Sequence, residues 1–491
     1  MWQREHPEEN KSDFTLRAEL NVLKVSEPFK GNETIKIRRF TTEGSHPIGC
    51  ALIYTENMSS LQDISERLIR CIINSEISEY DPINEIYLRT VCECDVKTET
   101  SLEKVTEALT YGDCVLFADG SKKALIANVK SWTSRPPIEP ENEKVLRGPR
   151  EGFTEKISDS IALIQRRICD PNLKIGYLNV GERSNTRVAI CYLEGIAKPE
   201  LVEDIKKKLS EISIDGILDS NYIAELITKR RFYPFKLIGT TERPDTAAAK
   251  ILEGRVVLLV NGSPVALTLP YLFIENFQSA DDYFVNYLSA SIGRLLRIIS
   301  FILAISVPAV YVALVTVHKE MMPTNLALSI IAARSSVPFP VIVEAIGLIT
   351  VFEIIRETAL RMNSNVSQAF SIVGAIVIGD AAVKAKFVSV PIVIIVSLSA
   401  LTGLMIPRLR SAVALYRMLL VLLAGFFGLY GYMLGTVFMA TTLISAESFG
   451  VRYTSYISIP SLKNQNDIYL RLPWPFMKRR PENIALDKKR I

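Results

Sequence analysis

Three carboxylates stand inside apolar runs of this chain: Glu344 and Glu353 in Pro338–Ile355, and Asp380 in Val366–Ala385. A charge at mid-bilayer costs roughly 2.5–3.5 kcal/mol on insertion scales, so such groups face protein or water rather than lipid. Two roles fit. The carboxylates pair with cations inside a helical bundle, or they line a water-filled path, where rings of acidic side chains select cations. Ser371, Gly374 and Gly379 are small residues that permit close helix approach, and with Glu344, Glu353, Asp380 and Lys384 they form the candidate pore or gating set. Lys384 lies one helical turn beyond Asp380, so the two also suit a plain (i, i+4) ion pair.

Two charged loops form a second candidate set. In Arg147-Gly148-Pro149-Arg150-Glu151-Gly152-Phe153 the glycines and proline fix an unusual backbone path, and Arg147 and Arg150 offer forked donors to carboxylates beside Glu151. In Thr240-Thr241-Glu242-Arg243-Pro244-Asp245-Thr246, Asp245 is placed to N-cap a helix over Ala247–Leu252, leaving Glu242 and Arg243 for partners. The functional reading is an inter-subunit or coupling loop; the plainer one is a rigid turn pinned by ion pairs.

Little else suggests catalysis. The three histidines, His6, His46 and His318, lie far apart, and there is no phosphate-binding loop, dinucleotide fingerprint or zinc-type spacing. All seven cysteines fall at or before Cys191, and the Cys92-x-Cys94 pair has no second pair to complete a metal site. The expectation is a reduced cytoplasmic domain, no enzyme, no cofactor, no metal and no nucleic-acid partner.

The surrounding elements divide sharply in charge. Residues 294–446 hold 11 basic and 5 acidic side chains, residues 447–491 hold 9 and 4, and residues 1–293 hold 37 and 44, so the net charges are +6, +5 and −7. A span needs roughly 20 mainly apolar residues; Leu296–Val317, Val388–Ile406 and Leu415–Ile444 qualify, with Arg417 snorkelling to the headgroups. The charged N-terminus lacks an apolar signal segment, and Lys478, Arg479, Arg480, Lys488, Lys489 and Arg490 favour a cytoplasmic tail that fixes orientation or binds anionic lipid. Both ends inside demands an even number of crossings. Four spans plus one re-entrant segment satisfy that, but leave Arg408 and Arg410 on the outer side against the positive-inside rule.

The front reads as two α+β lobes. Ile48–Tyr54 and Cys114–Phe117 suit buried strands, Ser60 with Asp63 suits a helix start, and Ala118-Asp119-Gly120 suits a hairpin turn. After the Pro-rich stretch Ser134–Lys144 come a helix at Glu155–Ile168, strands at Lys174–Leu178 and Arg187–Leu193, and a helix at Pro199–Ile212. Asn261-Gly262 between apolar runs is a strong hairpin signal, and Pro264 argues that the returning strand lies at an edge. No repeat of 20–50 residues is visible. The expected organisation is an N-terminal tail (1–34), a first soluble subdomain (35–133), a linker with the RGPREGF motif (134–150), a second subdomain (151–293), a polytopic α-helical transmembrane domain (294–446) and a basic tail (447–491).

RGPREGFTE (147–155), ILDSNYI (217–223), TERPDTAAAKILEGRVVLLVNGSP (241–264), VPFP (337–340), FEIIRE (352–357), SIVGAIVIGDAAV (371–383) and ESFGV (447–451) occur in the order of a known family. Over roughly 140–455 the chain closely resembles the A subunits of GerA-type spore germination receptors. The resemblance implies a multi-pass protein of the spore inner membrane, with the N-terminal domain and tail on the core side. It further implies a homo-oligomer, a pentamer, acting with a transporter-like B subunit and a lipoprotein C subunit as a nutrient-gated cation channel. Where the family's usual form is IGQAAV, this chain has Asp380. A non-conducting membrane scaffold and an ion-coupled transporter are the alternatives; no inverted internal symmetry favours the latter.

Overall fold

The computed structural model describes residues 12–43, 46–75, 77, 80–90, 95–130, 139–140, 143–228, 233–361, 379–455, 467–481, 483–487 and 489–490. Ser371 and Gly374, Cys92 and Cys94, His6, and most of Val366–Ala385 lie outside them. The chain forms two compact units: residues 1–229, 238–270 and 480–491 make one, and residues 230–237 and 271–479 the other. The break after Pro270 precedes the expected boundary at 293, and the segment 447–491 is divided between the units.

The first unit holds two antiparallel five-stranded sheets. β1 (Ile35–Thr41), β2 (Gly49–Thr55), β3 (Val96–Glu99), β4 (Cys114–Ala118) and β5 (Ala124–Ala127) are ordered β1-β2-β4-β5-β3. β6 (Leu173–Val180), β7 (Thr186–Leu193), β8 (Gly239–Thr241), β9 (Val256–Val260) and β10 (Ala266–Leu269) are ordered β6-β7-β9-β10-β8. The topology is the same in both. Pro264 precedes β10, which lies between β9 and β8, so the expected edge strand is an interior one; the proline sits in the turn, where no ladder donor is required.

Alternation at period two sorts the side chains of the first sheet. Cys50, Leu52 and Leu116 pack against the helical stretches α2 (61–73) and α3 (82–90), while Ala51, Ile53 and Val115 pack against α1 (Ala18–Ser26) and α4 (Leu102–Thr110). Ser60 starts α2 by accepting the Asp63 N–H at 3.1 Å. The second sheet is covered on the matching face by α5 (Ile157–Gln165) and α8 (Pro244–Leu252). α6 (Pro199–Ser210) and α7 (Ser220–Ile227) complete the lobe.

The correspondence extends to single bonds. Each residue from Leu102 to Ala127 has a counterpart 142 positions on, so that Gly112, Val115, Gly120 and Ala124 match Gly254, Val257, Gly262 and Ala266. In the hairpin turns, Asp119 accepts the Ala18 N–H at the start of α1, and Asn261 accepts the Ile157 N–H at the start of α5. Gly120 and Gly262, both with φ +91°, donate to the Leu16 and Glu155 carbonyls at 2.8 Å. The first unit is one α/β design used twice.

The second unit is helical: α9 (Tyr287–Thr316), α10 (Thr324–Arg334), α11 (Val341–Arg361), α12 (Val390–Leu404) and α13 (Arg410–Ile444). By length and composition, α9 and residues 407–444 suffice to cross a membrane. α13 is nevertheless not one rod. Gly428 has φ +60° and ψ −143°. A Cβ built on Gly435 would lie 2.3 Å from Leu420 Cδ2, whereas 15 residues of straight helix span about 22 Å. The expected single span Leu415–Ile444 is therefore a hairpin of two arms, about 27 and 24 Å long, seamed by Gly428, Gly431 and Gly435.

Hydrogen bonds fix the directions. Arg408, just before α13, donates to the Glu275 carbonyl at 3.2 Å, beside the start of α9. The Gly428 turn packs on His318, beyond the end of α9. Ser448, after α13, accepts the Tyr271 N–H at 3.0 Å, back at the first end. Arg408 and Arg410 thus lie at the end of the helical unit where α9 begins.

Candidate functional site

In the first unit the two charged loops meet. Arg243, 1% exposed, donates to the Pro149 carbonyl at 2.8 Å and the Glu143 carbonyl at 3.3 Å, and pairs with Asp245 at 2.7 Å. The Glu143 carboxylate accepts from the Thr241 hydroxyl at 2.6 Å and the Glu242 N–H at 3.1 Å. Phe153 N–H donates to the Glu242 carbonyl at 2.8 Å, and Glu151 pairs with Arg167 at 2.5 Å. Arg243 is the N-cap residue of α8 and Pro244 opens the helix, so Asp245 is not the cap; its carboxylate is taken by Arg243. A buried guanidinium needs its donors matched, and this knot supplies carbonyls and one carboxylate from the same chain. Arg147 and Arg150 stay exposed, with Arg150 reaching Glu139 only at 3.9 Å.

Two further motifs also join. Asp219 caps α7 by accepting the Asn221 N–H at 3.0 Å, and takes the Ser263 hydroxyl at 2.5 Å. Burial alone would raise its carboxyl; hydrogen bonds from Ser263, Asn221 and Ser220 more than offset this and hold it below the usual range. Glu143 and Asp219 escaped the sequence reading, although Asp219 before Ser-Asn carried a legible capping signal.

In the second unit the apolar helices bury ion pairs. Glu344 on α11 pairs with Arg334 at 3.0 Å and accepts both the N–H and the hydroxyl of Ser389, the N-cap of α12. Glu353 is held by Arg356 and by Arg417 of α13. Arg417 is 1% exposed, pairs with the half-buried Glu353 and donates to the Ser399 hydroxyl at 3.2 Å, so it does not snorkel. Asp380 pairs with Lys384 at 2.6 Å, 58% and 75% exposed. Among the described residues a Cβ on Gly379 would meet nothing within 4 Å, so none of them approaches closely there.

A third cluster, unforeseen, lies at the entry to α9. Arg294, fully buried, pairs with Asp282 at 2.9 Å and Asp467 at 2.7 Å, and Arg297 pairs with Asp282 at 2.5 Å. Burial would raise the Asp282 carboxyl, but the bonds from Arg297 and Arg294 win and lower it. Among the described residues no group of three or more His, Cys, Asp or Glu side chains is placed to hold a metal ion.

A duplicated α/β unit joined to apolar helices with internally paired charges defines a chain of two chemically distinct units. Residues 24–483 match the family described as Bacillus/Clostridium GerA spore germination protein, and the chain belongs to that family. Spore germination protein KA of Bacillus subtilis is 37% identical over 96% of this chain and 87% of its own length. Spore germination protein GerLA of Bacillus cereus is 33% identical over 96% of each. A Bacillus subtilis relative at 39% identity, over 88% of this chain and 84% of its own length, bears the name uncharacterized membrane protein YfkQ. The crystal structure of the N-terminal domain of the A subunit of the Bacillus megaterium germinant receptor GerK3 aligns with a TM-score of 0.43 at 27% identity, over 53% of this chain and 98% of that one.

Proposed function

We propose that this chain is the A subunit of a nutrient-responsive spore germination receptor, a multi-pass protein of the spore inner membrane that oligomerises, as a pentamer, into a gated cation path. It acts there with a transporter-like B subunit and a lipoprotein C subunit. Family membership supports the role in germination. The apolar helices support membrane insertion. Arg480, Asn483, Leu486 and Arg490 are bonded to the second lobe, which supports a common compartment, the spore core side, for the lobes and the C-terminal segment.

The observation that carries the conducting role is the Asp380–Lys384 pair. Glu344 and Glu353 are committed to arginines, one of which, Arg417, is deeply buried, whereas both members of the Asp380 pair are largely exposed. An exposed helix pair is worth roughly 0.3–0.5 kcal/mol, so Asp380 can exchange Lys384 for a passing cation at little cost. The neutralisation of Glu344 and Glu353 favours a second reading, a non-conducting scaffold for sensing subunits. Membrane potential of vegetative cells of a spore-former expressing the chain with its two partners tests the choice. Nutrient-dependent depolarisation altered by Asp380→Asn, in an assembled complex, supports conduction; a flat trace from the assembled complex supports the scaffold.

A further inference from the structure

The C-terminal segment does not trail free. Arg480 Nε donates to the Leu252 carbonyl at 2.9 Å, at the C-terminal end of α8, and Arg490 pairs with Glu253 at 2.7 Å. Between them Leu486 N–H donates to the Ile196 carbonyl at 2.9 Å and Lys198 Nζ to the Asn483 carbonyl at 2.8 Å. Ile484 and Ala485 are buried. The last carbonyls of a helix lack partners within it and favour cations, which accounts for Arg480, while Arg490 is held by the Glu253 carboxylate.

The first lobe supplies an internal comparison. Gly112 and Gly254 follow equivalent helices with the same φ of +89°. A Cβ on Gly112 would lie 2.8 Å from Met58 Cβ, and the Ser59 hydroxyl donates to the Gly112 carbonyl at 3.0 Å, so the first lobe closes this corner with chain that follows β2. A Cβ on Gly254 would lie 3.0 Å from Ala485 Cα and 3.0 Å from the Ile196 carbonyl. The second lobe thus uses the equivalent turn after β7 and, in addition, a segment that arrives more than 200 residues later in the chain.

We infer that the end of α8 together with the β7–α6 turn is a peptide-binding site, whose ligand is a short segment with two arginines bracketing a small apolar pair, occupied by the chain's own residues 480–490. The glycine at 254 leaves room for the bound backbone, the Ile196 and Leu252 carbonyls and the Glu253 carboxylate read the donors, and only a small residue fits where Ala485 sits. The ligand is continuous in sequence with the last apolar helix through residues 445–479. This goes beyond the proposed conduction and does not depend on it.

Hydrogen exchange on the purified full-length chain in lipid nanodiscs tests the site. A stop after Arg479, and separately Ala485→Arg, are expected to speed exchange at the end of α8 and in the β7–α6 turn at least tenfold, while amides of β6 and β7 stay protected and report an intact lobe. A synthetic peptide of residues 480–491 is expected to restore protection to the truncated chain, and the same peptide carrying Ala485→Arg is not. Unchanged exchange in both variants overturns the site. Failure of the peptide to restore protection to an otherwise intact lobe overturns the peptide-binding reading. Cross-linking of the segment between differently tagged copies, rather than within one, overturns the assignment of the ligand to the same chain.

Discussion

One carboxylate oxygen of Glu344 accepts two hydrogen bonds from Ser389, one from its amide and one from its hydroxyl, each at 2.9 Å. The other oxygen meets Arg334 at 3.0 Å. Glu344 therefore caps α12 from α11 and neutralises a guanidinium at the same point. Removing one partner of a buried pair costs about 3–5 kcal/mol. Glu344→Ala is expected to lower the melting temperature in detergent steeply, and Glu344→Gln less, because the amide oxygen still accepts from Ser389. Replacing Glu344 and Arg334 together by leucine is expected to recover most of the loss.

Arg243 makes its contacts as a fork, to Asp245 and to two carbonyls. A lysine is a point charge and cannot reproduce that geometry. Arg243→Lys is expected to destabilise the first unit by about 1–3 kcal/mol and Arg243→Ala by about 3–5 kcal/mol, read as faster exchange of the β8 and β10 amides in the full-length chain.

The α13 hairpin orders its own glycines. A Cβ on Gly431 would lie 2.0 Å from the Leu423 carbonyl oxygen, which is backbone; on Gly435 it would lie 2.3 Å from the Leu420 Cδ2 methyl, which can rotate away. Gly435→Ala is expected to cost about 1–3 kcal/mol, in the range of overpacked cores, and Gly431→Ala more. Melting of the two variants in one detergent checks the order.

Acid is expected to loosen the entry to α9 through Asp282. Its folded value lies below the ordinary 3.8, so its contribution is fully present above 3.8 and is lost as pH falls through the folded value. Asp282→Asn is expected to be less stable at neutral pH and to show a flatter acid limb, measured by tryptophan fluorescence between pH 6 and 2.

Much of the first unit was legible. Asp119-Gly120 and Asn261-Gly262 announce their hairpins because a turn of that kind needs φ > 0, and both glycines adopt it. The helix at 199–210 and the strands at 173–193 fall where periodicity puts them. Asp245 was misread because capping was judged from spacing alone: Pro244 is suited to the first helical position, which moves the cap to Arg243. The 142-residue repeat went unseen because it lies in the pattern of glycines and burial, with few identities to mark it.

The second unit was legible only as composition. From its sequence alone, this chain determines that residues 294–446 are apolar, that the front is acidic, and that Glu344, Glu353 and Asp380 need explaining, because burial of charge follows from residue type. The choice of partner for each carboxylate was left to the tertiary structure. Arg417 lies 64 residues from Glu353 and Ser389 lies 45 from Glu344, separations that no local periodicity encodes. The fold-back at Gly428 and the seating of Ala485 against Gly254 were decided there too. Each rests on one small residue allowing a close approach, and a small residue declares itself only when something packs against it.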